Sequence, residues 1–349
     1  MDNAQDASPN VIAVTLSPSL DRTLVTHYLA VGYHNRTVES TRLDPAGGGV
    51  DKARALHRLL PRAHAIIMTG DDATGRSYQA LIADERFDTT LIRVRGRTPS
   101  NTIILDTGNH TETQILEERE AITRDELVEV AHALKQIVRA GDMVVLAGPL
   151  PPGVSDDTYA WLTDIAQEAG AEVTLVTGGE ALREALPAEP EIVALSRLQM
   201  EAFFNYPVRT RTDVLESARA LVEMGAQMVL VEIRRAGEAI LVSDEGAWHA
   251  RLMLGDAAGT TSGVWNAVVA GFLAGCLSDM APSAALELAA ATGTYTAAFV
   301  GHEFGSFQEI REVLEQVQVT PCADLPLEFM SQTTSDSSDA SSNPAGSTG

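Results

Sequence analysis

Aromatic side chains make up only 5% of the 349 residues, and cysteine is limited to Cys276 and Cys322. Two thiols so far apart, one inside an apolar stretch and one near the carboxyl end, build neither a disulfide framework nor a metal site. The eight histidines show no metal-ligand spacing, and C-x-x-C, H-E-x-x-H and G-x-S-x-G are all absent. Positive charge is scarce too: 25 Lys and Arg stand against 48 Asp and Glu, for a net charge of −23. So acidic a surface repels polyanions, which argues against nucleic acid and anionic membrane as partners. No apolar run reaches the roughly 18 residues that would cross a bilayer. Residues Met1–Asn10 are polar and acidic rather than a charged-then-apolar leader. The expected location is the cytoplasm.

What is present is material for one large α/β core: 45% of the residues are hydrophobic, rich in Ala, Val and Leu. Short apolar runs at Val11–Thr15, Ala65–Thr69, Met143–Ala147, Val173–Thr177, Ile192–Leu195 and Met228–Glu232 read as strands. Amphipathic stretches at Arg124–Arg139, Thr158–Ala169 and Thr212–Met224 read as helices between them, and an Ala-rich helix is expected over Ala284–Val300. Strands separated by helices imply crossovers and a parallel sheet covered on both faces. Two regions break that rhythm. Residues 23–42 and 89–116 alternate in the manner of strands without a helix-length segment inside them, which predicts a small antiparallel sheet beside the main one. The expected organisation is one domain over residues 10–328, with disordered ends at 1–9 and at the Ser-rich acidic tail 329–349.

The stretch around which the chain is organised is Gly255–Cys276, G-D-A-A-G-T-T-S-G-V-W-N-A-V-V-A-G-F-L-A-G-C. Gly, Thr and Ser fill its first half, and from Val264 it is small and apolar, so a loop feeds a buried helix whose start suits an anion. This stretch resembles the signature of the ribokinase-like (PfkB) carbohydrate kinases, closest to their 1-phosphofructokinase and tagatose-6-phosphate kinase branch. The family pattern is T-V-G-A-G-D-S-x-x-A-G-F, in which the G-A-G amides form an anion hole and the Asp is the base on the sugar hydroxyl. Anchored on Ala270-Gly271-Phe272, Gly263-Val264-Trp265-Asn266 fall where the family has G-A-G-D. The resemblance implies a three-layer αβα sandwich with a mostly parallel central sheet and a small antiparallel β lid. It also implies magnesium–ATP as co-substrate, a sugar or sugar-phosphate ligand, and lids that pair two subunits.

Other motifs follow in family order. Leu16-Ser-Pro-Ser-Leu-Asp-Arg is similar to L-N-P-A-L-D-R, whose Asp binds sugar hydroxyls, and this gives Asp21 that role. Leu43-Asp-Pro-Ala-Gly-Gly-Gly-Val-Asp-Lys-Ala-Arg-Ala-Leu is similar to D-P-G-G-K-G-I-N-V-A-R-A-L and assigns Gly47, Gly48, Gly49 and Asp51 to the sugar. There the family's Lys is Gly48 and its Asn is Asp51. Arg97-Thr-Pro-Ser-Asn-Thr-Ile retains a sugar ligand in Asn101, while the basic residues that hold the substrate's phosphate fall on Pro99 and Ile103. Arg93, Arg95 and Arg97 lie close by and read as solvated charges. On the nucleotide side, N-x-x-E corresponds to Ser196-Arg-Leu-Gln199, and S-x-G-x-x-G corresponds to Glu232-Ile-Arg-Arg-Ala-Gly237. Glu232 opposes a phosphate there.

The scaffold motifs persist while the chemistry positions fail together. A neutral Asn266 takes up no proton near neutral pH, and losing a positioned base alone costs about 10²–10⁴-fold. Trp265 stands where a close backbone approach requires Gly. The sequence therefore predicts a pseudokinase that binds a sugar or sugar phosphate through Asp21, the Gly47–Gly49 loop and Asn101. Two alternatives stay open. One is an active ATP-dependent kinase of 1-phosphofructokinase type with a base relocated to Asp256, Asp51 or Glu232. The other is a non-catalytic subunit that pairs with an active paralogue instead of forming a homodimer.

Overall fold

The computed structural model describes residues 9–234, 238–251 and 263–324. The expected disordered ends lie almost wholly outside these residues, as do Gly237, Asp256 and the loop leading to Gly263. The first third of the chain runs β1 (Val11–Thr15), β2 (Ser19–Thr26), β3 (Arg42–Ala46), α1 (Gly48–Leu59), β4 (Ala63–Gly70), α2 (Ala73–Ala83), β5 (Asp88–Val94), β6 (Ser100–Asp106) and β7 (Thr111–Ile115). The middle continues α3 (Arg124–Ile137), β8 (Met143–Ala147), α4 (Thr158–Glu168), β9 (Glu172–Val176), α5 (Gly179–Ala185), β10 (Ile192–Ser196), α6 (Arg197–Phe204) and α7 (Arg211–Glu223). The last part is β11 (Met228–Arg234), β12 (Glu238–Ser243), β13 (Gly246–Arg251), α8 (Val264–Cys276), α9 (Pro282–Ala297), α10 (Phe307–Leu314) and β14 (Gln318–Pro321).

The large sheet has the order β14-β13-β12-β11-β10-β9-β8-β1-β4-β5. From β11 to β5 every pairing is parallel, while β12, β13 and β14 close that end as antiparallel strands. Side chains of a strand alternate between faces, and both faces of this sheet are dry. Along β1, Val11 and Ala13 join the core formed with α1, α8, α9 and α10, whereas Ile12 and Val14 join the core formed with α3 to α7. This is why the central strands read as unbroken apolar runs.

A second sheet, ordered β3-β2-β6-β7, sits beside the first. Its outer pairs are antiparallel, and the central β2–β6 pair is parallel. The alternation from Thr89 predicts a strand of the small sheet, but Asp88–Val94 pairs in parallel with β4 as the edge of the large one. An edge strand is half exposed, so its period-2 pattern is the same as that of a lid strand. The helix that sets it apart is α2, which makes β4–α2–β5 a crossover.

Candidate functional site

The small sheet supplies the first part of the site. Asp21 on β2 stands directly opposite Asn101 on β6, and both are buried. Asn101 Nδ2 donates to Asp21 Oδ1 at 3.0 Å and Ser19 Oγ donates to the same oxygen at 2.7 Å. Asn101 Oδ1 accepts from the Glu117 backbone N–H at 3.2 Å, so the amide is oriented from both ends.

The glycine loop supplies the second part. Gly47 has φ +144°, a region that favours glycine. A Cβ on Gly49 would stand 2.4 Å from Thr15 Oγ1. That hydroxyl accepts the Val50 N–H at 2.9 Å and seats the start of α1 on the end of β1. From there α1 turns Asp51 and Lys52 inward, each at most 2% exposed.

The two halves meet at Asn266 in the first turn of α8. Lys52 Nζ donates to Asn266 Oδ1 at 2.6 Å and to the Gly48 carbonyl at 3.1 Å. Asn266 Nδ2 donates to Asp51 Oδ2 at 3.0 Å. The other Asp51 oxygen receives Arg54 Nη1 at 2.9 Å and faces His302 Nδ1 at 3.0 Å. His302 Nε2 lies 3.5 Å from Asp21 Oδ2 and so joins the lid carboxylate to the α1 carboxylate. Arg54 is itself held by Glu85 at 2.5 Å and by the Pro45 carbonyl at 2.7 Å.

Burial and charge act in opposition throughout this cluster. Burial alone would raise the Asp51 pKa, but His302, Arg54 and Lys52 outweigh it and hold the carboxyl below its usual range. Burial would lower His302, yet the Asp51 and Asp21 carboxylates drive it up to about 10. For Lys52 burial wins over Asp51, and the ammonium drops to about 8. At neutral pH the cluster is therefore an imidazolium and an ammonium interleaved with two carboxylates and one amide. Asn266 has no lone pair aimed at a substrate proton, and Asp51 is a weak base with both oxygens engaged.

Two of the positions expected on the nucleotide side, Ser196 and Gln199, serve local structure. Ser196 and Gln199 form a capping box at the start of α6: Ser196 Oγ accepts from Gln199 N at 3.2 Å and Gln199 Oε1 from Ser196 N at 2.8 Å. The amide at the position of the family's Glu is thus spent on a helix cap. Among the described residues no group of three or more His, Cys, Asp or Glu is placed to hold a metal ion. Glu232 pairs across the sheet with Ser196. Gly263 caps α8 with φ +83°. Val264 is buried, and Trp265 packs against the core beneath α8.

The structure thus brings Asp21, Asn101, Gly47–Gly49, Asp51 and Asn266 together, while Gln199 caps α6 and Glu232 lies on β11. Sequence reasoning missed Lys52 and His302. Lys52 carried a signal, an ammonium one helical turn after the glycine that replaces the family's Lys, in the stretch Val50-Asp-Lys-Ala-Arg-Ala-Leu56. His302 carried none. It lies in a loop, and its partners are more than 250 residues away.

A parallel α/β sheet clad on both faces, with a small sheet over a buried carboxylate–amide cluster, defines a protein built like a sugar kinase. The pfkB family carbohydrate kinase model matches residues 14–305, and the chain belongs to that family. It is 29% identical over 310 residues to the 1-phosphofructokinase of Bacillus subtilis, covering 89% of this chain and 99% of that one. It is 31% identical over 278 residues to the 1-phosphofructokinase of Xanthomonas campestris, covering 78% and 86%. The Escherichia coli phosphofructokinase-2 structure in complex with substrates and products shares the fold, with TM-score 0.79 and 24% identity over 88% of this chain and 99% of that one.

Proposed function

We propose that this chain is a pseudokinase of the pfkB family that binds a sugar or sugar phosphate under its small sheet and does not transfer phosphate. The observation that carries this is the clamp on Asn266. Where the family motif has a carboxylate, an amide is fixed between the Lys52 ammonium and Asp51, and neither group accepts a proton readily. Asp21 and Asn101 retain the acceptor and donor pair suited to vicinal hydroxyls. The names of the 1-phosphofructokinase relatives suggest a phosphorylated ketose as the ligand. The protein would act in the cytoplasm as a dimer through its small sheet, with a second copy of itself rather than an active paralogue.

The test combines calorimetric and thermal-shift titration of fructose 1-phosphate, fructose 6-phosphate and tagatose 6-phosphate with a coupled ADP-release assay in magnesium–ATP. The expected result is a rise in Tm with at least one sugar phosphate and no sugar-dependent ADP release. Sugar-dependent turnover would reject the pseudokinase reading.

The relocated-base reading has one observation in its favour, since Asp51 places a carboxylate 3.0 Å from Asn266. Relative to the family motif, amide and carboxylate have exchanged places. If turnover is found, Asp51→Asn should remove it by about 10²–10⁴-fold; activity that survives this substitution would eliminate Asp51 as the base.

A further inference from the structure

Five consecutive residues between α9 and α10 are tied to the site. Val300 packs on the small-sheet cluster of Val25, Ile103 and Leu105, and its carbonyl accepts Arg42 Nη1 at 3.2 Å. Gly301 has φ +81°, and a Cβ there would stand 2.7 Å from the Arg42 side chain, so the chain turns tightly over β3. Glu303 completes the latch with a 3.0 Å ion pair to Arg42, which also grips Asp44 at 2.9 Å. Phe304 is buried in the main core, and its carbonyl accepts Arg58 Nε at 3.1 Å. Between these anchors His302 points inward, 4% exposed, with one ring nitrogen toward Asp21 and the other toward Asp51.

These are the two carboxylates expected to receive the sugar.

We propose that Val300–Phe304 is an autoinhibitory strap whose His302 side chain occupies the sugar site, so that a ligand must displace the imidazole to bind. This rests on the reading of Asp21 and Asp51 as the polyol-binding groups. The imidazole sets its two nitrogens against two carboxylates, at 3.5 and 3.0 Å, and a vicinal diol presents two O–H donors to the same pair. A neutral diol does not replace the positive charge, however, so the exchange is unfavourable and binding by the wild-type chain is weak. Release of the strap also breaks the Arg42 latch, which couples occupancy of the site to the position of β3 and the small sheet.

The test is calorimetric titration of fructose and fructose 1-phosphate into the full chain, comparing wild type, His302→Ala and Arg42→Gln. Amide exchange over residues 299–304 is followed in parallel. Expected are at least tenfold tighter binding of both ligands by His302→Ala and a smaller gain, about two- to fivefold, by Arg42→Gln. The second variant leaves both carboxylates and the imidazole in place, so it remains informative if removal of His302 impairs folding. Faster amide exchange on ligand addition to wild type would support the strap. Equal or weaker binding by both variants, with wild type still binding, would refute the strap and leave the sugar-binding reading intact. If no chain binds either ligand, both fall.

Discussion

At the scale of the residue, the two cations of the buried cluster are displaced in opposite directions, and this fixes a pH signature. His302 is raised from 6.5 to about 10, so the stability it contributes is complete below pH 6.5 and is lost as pH rises from there toward 10. Lys52 is lowered from 10.5 to about 8, so its unfavourable contribution is complete below pH 8 and is relieved as pH rises above it. Between pH 6.5 and 8 only His302 acts, and stability should fall with a slope of at most about 1.4 kcal/mol per pH unit. Between pH 8 and 9 the two effects oppose each other, and the curve should flatten. His57 and His64 are pushed below 6.5 by burial and fall outside this window. Urea unfolding of wild type and His302→Asn across pH 6.5–9 checks this. The variant should lose the fall between 6.5 and 8, and a wild-type stability that rises there would show that His302 is not held protonated. Legibility at this scale divides by how local the information is. Asp21 and Asn101 could be found because each sits in a motif. The salt cluster that neutralises Asp51 depends on His302, which only the folded chain brings near.

At the scale of the element, the sheet and its helices were legible and the edges were not. The central strands announce themselves as apolar runs because both faces are covered. β5 carries the alternation of a lid strand because one of its faces is exposed. The α8–α9 contact was only half legible: the small residues of Gly263–Cys276 showed a buried helix, but not how close its neighbour comes. A Cβ on Gly271 would stand 2.6 Å from Thr292 Oγ1 and 2.8 Å from Ala289 Cα. In Gly271→Ala, helix propensity would gain about 1 kcal/mol. Backbone atoms cannot move aside as a flexible side-chain tip does, and overpacking costs about 1–3 kcal/mol. The clash should win, giving a net loss of up to about 2 kcal/mol, read as a lower urea midpoint at unchanged slope. A stabilised variant would mean that α9 can shift. Such freedom would also loosen α8, which carries Asn266.

At the scale of the whole molecule, net charge and apolar exposure work against each other. The chain carries −23, yet the segment between β2 and β3 exposes Val31 at 88% and Tyr33 at 81%, with Tyr28 and Val38 beside them and Ile115 and Leu116 at the end of β7. Exposed apolar side chains on one small sheet suit it as an association surface. Two copies that meet there bring like charges together, and salt screens that repulsion with a length of about 10 Å at 0.1 M. Dimerisation through the small sheet should therefore strengthen with salt, unlike an interface held by opposite charges. Sedimentation velocity from 0.02 to 0.5 M NaCl would show the dimer fraction rise, and Tyr33→Asp should give monomer at every salt concentration without lowering the urea midpoint of the monomer. A wild-type chain that stays monomeric at high salt would remove the homodimer and favour a different chain as the partner. Because β3 bears both the Arg42 latch and one edge of this sheet, a dimer should also bind sugar with a different affinity from the monomer. Titrating fructose 1-phosphate into wild type and Tyr33→Asp decides that point: equal affinities would show that assembly and site are independent.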